Sequence, residues 1–487
     1  MQDSSAQSLM RAVRPGVVLK YVSQLLLLLA LITAVPALVA LLLDEADVAL
    51  RYVTVIGVLA LVSLPLSRLP EPQQIQRNEA LCVTALVFLI TPLLMTYPLM
   101  ASGLSWIDAW FEAVSGVTTT GLSTLPAIEQ QPAIFLFARA WMQWYGGLGI
   151  AVLAVALFMG HKTTSKKLLE SAGEEGQATT ARTYARQILQ VYLALTVIGF
   201  LLLWPFQQDA FLALIHTLAA VSTGGFSGFN DSLASVPPGA QTMLTLLSLA
   251  GAITLPLYFI AFRQQPGRLL HDTEVHALLL LTGLTTLLLS PCLAGWHQLN
   301  WANGLRHAAM LAVSAQSTAG FSSVDVASIA PSAQLILIFS MLIGGCTGST
   351  AGGIKIIRLL ILLKLIQLTL QRTAASPRAV LLPKLGKTRL DTDEIAGVLV
   401  LSGLWGLVTL LSWLLLLADG QDPLGSLFEV VSAMGTVGLS SGITQPDLSS
   451  TLKLVLGADM LLGRLEIIAL LVLLYPPSWF GRRRSHS

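Results

Sequence analysis

Ten apolar stretches divide the chain, and polar or basic segments separate them. They run roughly over 21–43, 53–69, 80–100, 133–159, 188–205, 243–262, 275–293, 335–365, 395–418 and 452–474. A spanning helix needs about 20 mostly apolar residues, so each stretch is a candidate span. Inside each of the last four pairs lies a shorter, semi-apolar segment: 105–118, 209–222, 301–317 and 422–435. At about 1.5 Å per residue such a segment extends only about 20 Å as helix, enough to enter a bilayer but not to cross it. The pattern predicts a unit of helix, half-helix, extended loop and helix, used four times after one extra helix pair. Irregular backbone inside a membrane needs hydrogen-bond partners from protein or a water-filled cavity. The four loops are therefore expected around one wet axis.

Each short segment ends in the same signature, Thr-x-Gly-(Leu/Phe)-Ser. The copies are Thr119-Thr120-Gly121-Leu122-Ser123, Thr223-Gly224-Gly225-Phe226-Ser227, Thr318-Ala319-Gly320-Phe321-Ser322 and Thr436-Val437-Gly438-Leu439-Ser440. They lie 104, 95 and 118 residues apart, too long for a solenoid repeat and right for two helices plus a hairpin. Four positions before the Thr stand Ser115, Ser314 and Ser432, with Ala219 in the second copy. Seven positions before it stand Glu112, His216, Leu311 and Glu429. The three polar residues of that set read as hydrogen-bond anchors, not catalytic groups.

Composition agrees with the pattern. Hydrophobic residues make up 54% of 487 and charged residues 11%, and the mean hydropathy is +0.74, outside the range of soluble domains. A net charge of +2 does not suggest nucleic acid. Cys82, Cys292 and Cys346 have no CxxC spacing, so neither a disulfide framework nor a metal site is expected. The polar start, with Arg11, Arg14 and Lys20, precedes an apolar run without a small-residue cleavage site and reads as a first anchor. Basic residues gather in alternate loops: Lys162, Lys166, Lys167, Arg182 and Arg186; Arg263 and Arg268; eight Lys/Arg from 355 to 389; and Arg482, Arg483 and Arg484. At the first hairpin tip Asp44, Glu45 and Asp47 outnumber Arg51. By the positive-inside rule the four signatures face outward and both termini are cytoplasmic.

A cation crossing a bilayer exchanges its hydration shell for oxygen ligands, which rings of backbone carbonyls supply without fixed charge. Gly permits the backbone such a loop needs, and Thr and Ser hydroxyls add oxygens. Each half-helix also points its negative end at the axis. The alternative, small residues serving tight helix packing, does not explain segments too short to span. The eighth stretch is interrupted by Gly344-Gly345-Cys346-Thr347-Gly348-Ser349-Thr350-Ala351-Gly352-Gly353, followed by Ile354 and Lys355. It reads as a flexible loop across the pore, or as a small-residue packing stripe through Gly344, Gly348 and Gly352. A phosphate-binding loop is excluded, because Ile354 stands where Lys is required. Arg464, in the middle of the last stretch, must face water or a partner: either the pore or another helix. Glu466, two positions on, points to the opposite helical face. Gly146-Gly147-Leu148-Gly149 lies in an apolar helix and reads as close packing, not as a nucleotide fingerprint. The mixed-charge stretch 163–186 reads as a docking surface or a solvated linker.

These residues resemble the Trk/Ktr/HKT superfamily of potassium transporters, itself similar to potassium channels in its pore loops. The extra amino-terminal pair and the basic tail are similar to the bacterial TrkH/TrkG branch, and the resemblance runs from about residue 21 to 474. It implies an all-α polytopic membrane protein of the bacterial inner membrane, with four pseudo-repeated helix–pore loop–helix units around one pore. The divisions expected are 1–76 for the amino-terminal segment and extra pair, then repeats at 77–165, 166–270, 271–390 and 391–487. It implies that Gly121, Gly225, Gly320 and Gly438, with the Thr and x residues before them, form a filter for potassium and rubidium. Some plant relatives that favour sodium carry Ser at the first position; this chain has Gly121. The loops lack the second glycine of the channel sequence Thr-Val-Gly-Tyr-Gly. The resemblance also implies an intramembrane gate at 344–355, a pore-facing Arg464, a homodimer, and a separate TrkA-like cytosolic nucleotide-binding subunit. Potassium is the only ligand expected, with no organic cofactor. Symport of potassium with sodium or protons is the alternative. An intramembrane enzyme using His216 or His307 lacks any supporting HExxH or Ser-Lys arrangement.

Overall fold

A computed structural model of the chain describes residues 12–70, 75–159, 181–263, 267–296, 300–376, 383–385 and 388–480. Arg11, Lys162, Lys166, Lys167, Arg378, Lys387 and Arg482 to Arg484, and the part of the mixed-charge stretch from 163 to 180, lie outside the described residues. Helix dominates; Lys384–Leu385 and Thr388–Arg389 form a two-stranded antiparallel ribbon. Six helices among the described residues are long and apolar enough to cross a membrane, seven if one bent pair is a single span. Large apolar side chains on them face outward, Leu31 at 70% and Leu61 at 77% exposure, as a lipid solvent allows and water does not.

The chain divides into two compact units. The first takes in Met1–Val114, Gln131–Ala138 and Leu465–Ser487. Pro15–Leu42 and Ala46–Ser67 make its leading helical hairpin, turned at Asp44 in left-handed backbone. Arg77–Leu99 follows, and Ile468–Leu474 packs against it. Arg14 ties the amino-terminal end to that third helix. Its Nε lies 2.6 Å from Glu79 Oε1 and its second guanidinium nitrogen 2.9 Å from Oε2, and its backbone N–H also donates to Oε1 at 3.1 Å. Glu79 is fully buried and also accepts from the Gln76 N–H at 2.9 Å. Val13 N–H donates to the Ser478 carbonyl at 2.8 Å, joining both ends of the unit.

The second unit, Ser115–Gln130 and Arg139–Arg464, holds all four signatures. Two stretches that sequence reads as continuous are broken. The expected 243–262 span is Pro238–Gly251 and Leu255–Arg263, bent by 92° at a three-residue break. The expected 452–474 span ends as Ser450–Arg464, and Ile468–Leu474 resumes after Glu466 and Ile467, both at positive φ. Arg464 is therefore a helix C-terminus and not a mid-helix residue. Glu466 is not helical, so its opposite-face placement does not hold.

Replacing Arg14 by Met strands a buried carboxylate and should cost about 2 kcal/mol, the scale of a charged hydrogen bond lost to a buried partner. Thermal unfolding in detergent should show the Arg14→Met variant less stable than the Arg14→Met/Glu79→Gln double variant, since the double change leaves no uncompensated charge.

Candidate functional site: a ring of four loops

The four half-helices are Trp106–Val117, Ala210–Val221, Trp301–Ser317 and Pro423–Met434. Short polar side chains cap their starts, satisfying amide groups that have no partner within a helix. Ser105 Oγ accepts from Asp108 N–H, Asp209 from Phe211 and Leu212, Asn300 from Asn303 and Asp422 from Gly425.

Their ends repeat with little variation. Thr119, Thr223, Thr318 and Thr436 take left-handed backbone, with φ of 56°, 52°, 56° and 48°. That is an uncommon conformation for a β-branched residue. It turns the chain off the helix axis, as an αL cap does. The next residue then donates to the carbonyl five positions back: Thr120 to Ser115 (2.9 Å), Gly224 to Ala219 (2.8 Å), Ala319 to Ser314 (2.9 Å) and Val437 to Ser432 (2.8 Å). Gly121, Gly225, Gly320 and Gly438 follow, also at positive φ.

The glycines close a ring. A Cβ on Gly121 would fall on the Gly224 carbonyl oxygen, one on Gly225 on that of Ala319, one on Gly320 on that of Val437, and one on Gly438 on that of Thr120. Each loop thus presses the carbonyl before its glycine against the glycine of its neighbour, in one rotational sense, and the fourth loop returns to the first. No basic residue belongs to the ring. The Thr119 and Thr436 hydroxyls are buried without a hydrogen-bond partner. Convergent carbonyls, unpartnered hydroxyls and four helix C-termini are oxygen chemistry suited to a dehydrated monovalent cation.

Side chains hold the loops from behind. Ser115 Oγ accepts the Gly121 N–H and Ser432 Oγ the Gly438 N–H, both at 3.0 Å. The predicted anchors engage the signature serines: His216 Nε2 lies 3.0 Å from Ser227 Oγ, and Ser440 Oγ donates to Glu429 at 2.5 Å. Glu112, at the same place in the first repeat, is fully buried. The third repeat has Leu311 there and instead uses His307, whose Nδ1 lies 2.7 Å from Ser323 Oγ. Sequence reading missed that role because Ser323 lies one position beyond the signature. It also missed Arg139, which stacks its guanidinium 3.8 Å from the centre of the Phe226 ring.

The interrupted eighth stretch is helix Pro331–Leu342, an irregular loop, then Ile356–Ala374. Because the loop is not helical, the spacing of Gly344, Gly348 and Gly352 is not a helix packing stripe. Residues 343 and 354 bridge its neck. Its tip lies on the threonine side of the ring: Gly352 N–H donates to Thr318 Oγ1 at 2.7 Å, and Thr350 Oγ1 lies 3.3 Å from Thr223 Oγ1. A Cβ on Gly352 would strike the Thr436 side chain and the Gly435 carbonyl. The break in the second repeat supplies partners for the loop. Cys346 N–H donates to the Ala252 carbonyl (2.9 Å), Leu255 N–H to the Gly348 carbonyl (3.2 Å) and Thr350 N–H to the Gly251 carbonyl (3.2 Å). Thr254 Oγ1 donates to the Thr347 carbonyl, and Glu274 accepts the Thr347 N–H. Arg464 donates to the Thr350 carbonyl at 2.9 Å and the Gly146 carbonyl at 3.3 Å, so it pairs with backbone of the loop and of another helix together. Gly345, Ser349 and Gly353 belong to the same loop, and Lys355 donates to the Ala351 carbonyl.

Comparison with known proteins agrees with the helical, multi-span fold. The TrkH family, described as a cation transport protein, matches residues 47–478. The Trk system potassium uptake protein TrkH of Halomonas elongata is 31% identical over 480 residues, 93% of this chain and 97% of that protein. Its namesake in Escherichia coli K12 is 31% identical over 84% of this chain and 87% of its own length. The crystal structure of the potassium transporter TrkH from Vibrio parahaemolyticus superimposes with a TM-score of 0.85 at 28% identity, covering 95% of this chain and 99% of that one.

The helices behind the loops carry glycines that meet half-helix ends: a Cβ on Gly146 would fall on the Val117 carbonyl, and one on Gly463 on that of Met434. Gly149, in the same helix as Gly146, has open space. Gly146→Ala and Gly463→Ala should each destabilise the protein by about 1–3 kcal/mol through overpacking. Gly149→Ala should be neutral or slightly stabilising. Thermal unfolding of the three variants in detergent checks this, and equal behaviour of Gly146→Ala and Gly149→Ala would refute close packing.

Proposed function

The chain belongs to the TrkH family of cation transport proteins, and on that premise we propose that it takes up potassium, and rubidium with it, through a filter formed by the four loops. The observation that carries this reading is the closed order of glycines and carbonyls, 121 to 224, 225 to 319, 320 to 437 and 438 to 120. In it four backbone oxygens, one from each signature, each meet the glycine of another signature in a closed circuit, which supports a shared ligand ring. Potassium is the substrate; the carbonyls of Thr120, Gly224, Ala319 and Val437 replace part of its hydration shell, and the threonine hydroxyls add ligands on the side of the 343–355 loop.

That loop is the gate in this reading, and the contacts described above are its closed position. Arg464 holds it by the Thr350 carbonyl and adds a positive charge to the path. A cation passing within about 5 Å of a guanidinium meets roughly 3 kcal/mol at an effective dielectric of about 20, a slowing on the order of a hundredfold. Opening requires the loop to leave the 252–254 break and Glu274. The four repeats are taken as 77–165, 166–270, 271–390 and 391–487 after the amino-terminal segment 1–76. Both termini are placed on the cytoplasmic side of a bacterial inner membrane, where a TrkA-like nucleotide-binding subunit drives the opening and a second copy of the chain completes a homodimer.

Flux of potassium, rubidium, sodium and lithium into liposomes containing the purified protein tests the reading. Gly121→Ser should erode potassium-over-sodium discrimination at least about tenfold, because its Cβ displaces the Gly224 carbonyl and a misplaced ring ligand costs roughly 1.4 kcal/mol or more. Arg464→Ala should raise basal flux on the order of tenfold to a hundredfold by removing the charge and one restraint on the loop. Unchanged discrimination in the first variant would sink the filter, and unchanged flux in the second would sink the role given to Arg464.

A further inference from the structure

The second loop departs from its three counterparts at two positions, and both departures converge on one side chain. Ala219 stands where the other half-helices carry Ser115, Ser314 and Ser432, and Gly224 where the other loops carry Thr120, Ala319 and Val437. Ser115 and Ser432 hold the ring glycine by its N–H. The Ser314 hydroxyl is buried without a hydrogen-bond partner, and alanine at 219 has no oxygen to offer.

Gln143 reaches the second loop instead, from helix Ala133–Met159. Its Oε1 accepts the Phe226 N–H at 3.1 Å and its Nε2 donates to the Gly224 carbonyl. A primary amide carries one acceptor and two donors on a planar group, so it brackets Gly225 as an adjacent peptide would. The side chain is fully buried. The approach depends on residue 224 having no side chain: a Cβ there would lie 2.5 Å from Gln143 Cδ and 2.7 Å from Oε1. The serine lost at 219 and the side chain lost at 224 are thus two sides of one replacement.

We propose that Gln143 is a positioning residue for the ring, fixing the Gly224 carbonyl and through it the cation discrimination, in place of the serine hydroxyl used by the first and fourth repeats. This rests on the filter reading above. The Gly224 carbonyl is the oxygen that faces Gly121. A donor on it fixes its direction and draws electron density from it, making it a weaker cation ligand than an unbonded carbonyl. Lower field strength favours the larger, more weakly hydrated cation.

The test uses full-length protein with Gln143→Met, Ala219→Ser, the double variant, and Gly121→Ser as the control for the ring. Methionine keeps the volume, and Met460 occupies the corresponding place three residues before Gly463. Two readouts are taken: potassium-to-sodium flux ratio in liposomes, and stabilisation against thermal unfolding by KCl and NaCl in detergent. The second reports ion binding whether the gate is open or closed. Gln143→Met should lower potassium-over-sodium discrimination about fivefold, the scale of one net hydrogen bond. Ala219→Ser alone should match the wild type. The double variant should recover at least half of the loss, because the new hydroxyl can reach the Gly225 N–H as Ser115 reaches that of Gly121. Unchanged discrimination in Gln143→Met while Gly121→Ser erodes it overturns the proposal, as does a loss that Ala219→Ser does not relieve. If Gly121→Ser itself has no effect in either readout, the filter reading has failed and not the assignment of Gln143. Should Gln143→Met not be recovered folded, recovery of the double variant supports the replacement and its absence refutes it.

Discussion

At four places in this chain a carbonyl oxygen occupies the space where the neighbouring loop's side chain would begin, and that shared exclusion organises the second unit. Each of the four loops must offer a glycine at positive φ and must bring its own carbonyl to the next loop's glycine. Neither condition can be relaxed at one loop without moving its neighbour, because the order is cyclic. Glycine is needed for its missing Cβ and for its backbone conformation together. The half-helices then follow as the means of delivering four chain segments to one ring, each stopped by a left-handed threonine.

Left-handed backbone at a β-branched residue costs of order 1–3 kcal/mol and persists only where the surroundings over-determine it. Here the surroundings differ from repeat to repeat while the backbone does not. The donor-to-carbonyl spans at the helix ends vary only from 2.8 to 2.9 Å. The side chains behind them are Ser115, Gln143 and Ser432 close to the glycines, and His216, His307 and Glu429 further back. Different groups hold neighbouring backbone or hydroxyl atoms of each loop, the ring glycine's N–H in the first and fourth and the next residue's N–H in the second, so the signature is kept while the residues behind it diverge.

A similar complementarity joins two irregular segments that are far apart in sequence. The break after Gly251 frees backbone groups inside an apolar environment, and the 343–355 loop brings equally needy groups of its own. Their mutual hydrogen bonds satisfy both, as buried backbone polar groups require. In this arrangement each segment supplies partners that the other lacks. Arg464 ends its helix at the same place, where two carbonyls replace the water its guanidinium has lost.

The all-helical, multi-span architecture was legible in the sequence, as were the four short segments and the four glycines. Those features depend on the length of apolar runs and on a repeated local motif, which are properties of neighbouring residues. The interruption at Gly344–Gly353 was visible for the same reason. The break after Gly251 was passed over because 243–262 reads as one long, mostly apolar run; Gly251 and Pro256 were the local signals for it, and the partners at Cys346, Gly348 and Thr350 that satisfy the freed backbone are visible only in the structure. The end of the last helix at Arg464, the use of His307 in place of Leu311, and the clasp of Gln143 on the second loop were hidden. Each depends on which residues from distant repeats meet, and sequence spacing carries no record of that meeting. What the sequence by itself determined is that four equivalent loops exist and that each carries a glycine; the left-handed turn at each threonine came only with the structure. Which oxygen faces which glycine, and which side chain holds each loop in place, was decided only when four repeats closed into a ring, since a ring contact is a relation between segments and not a property of any one of them.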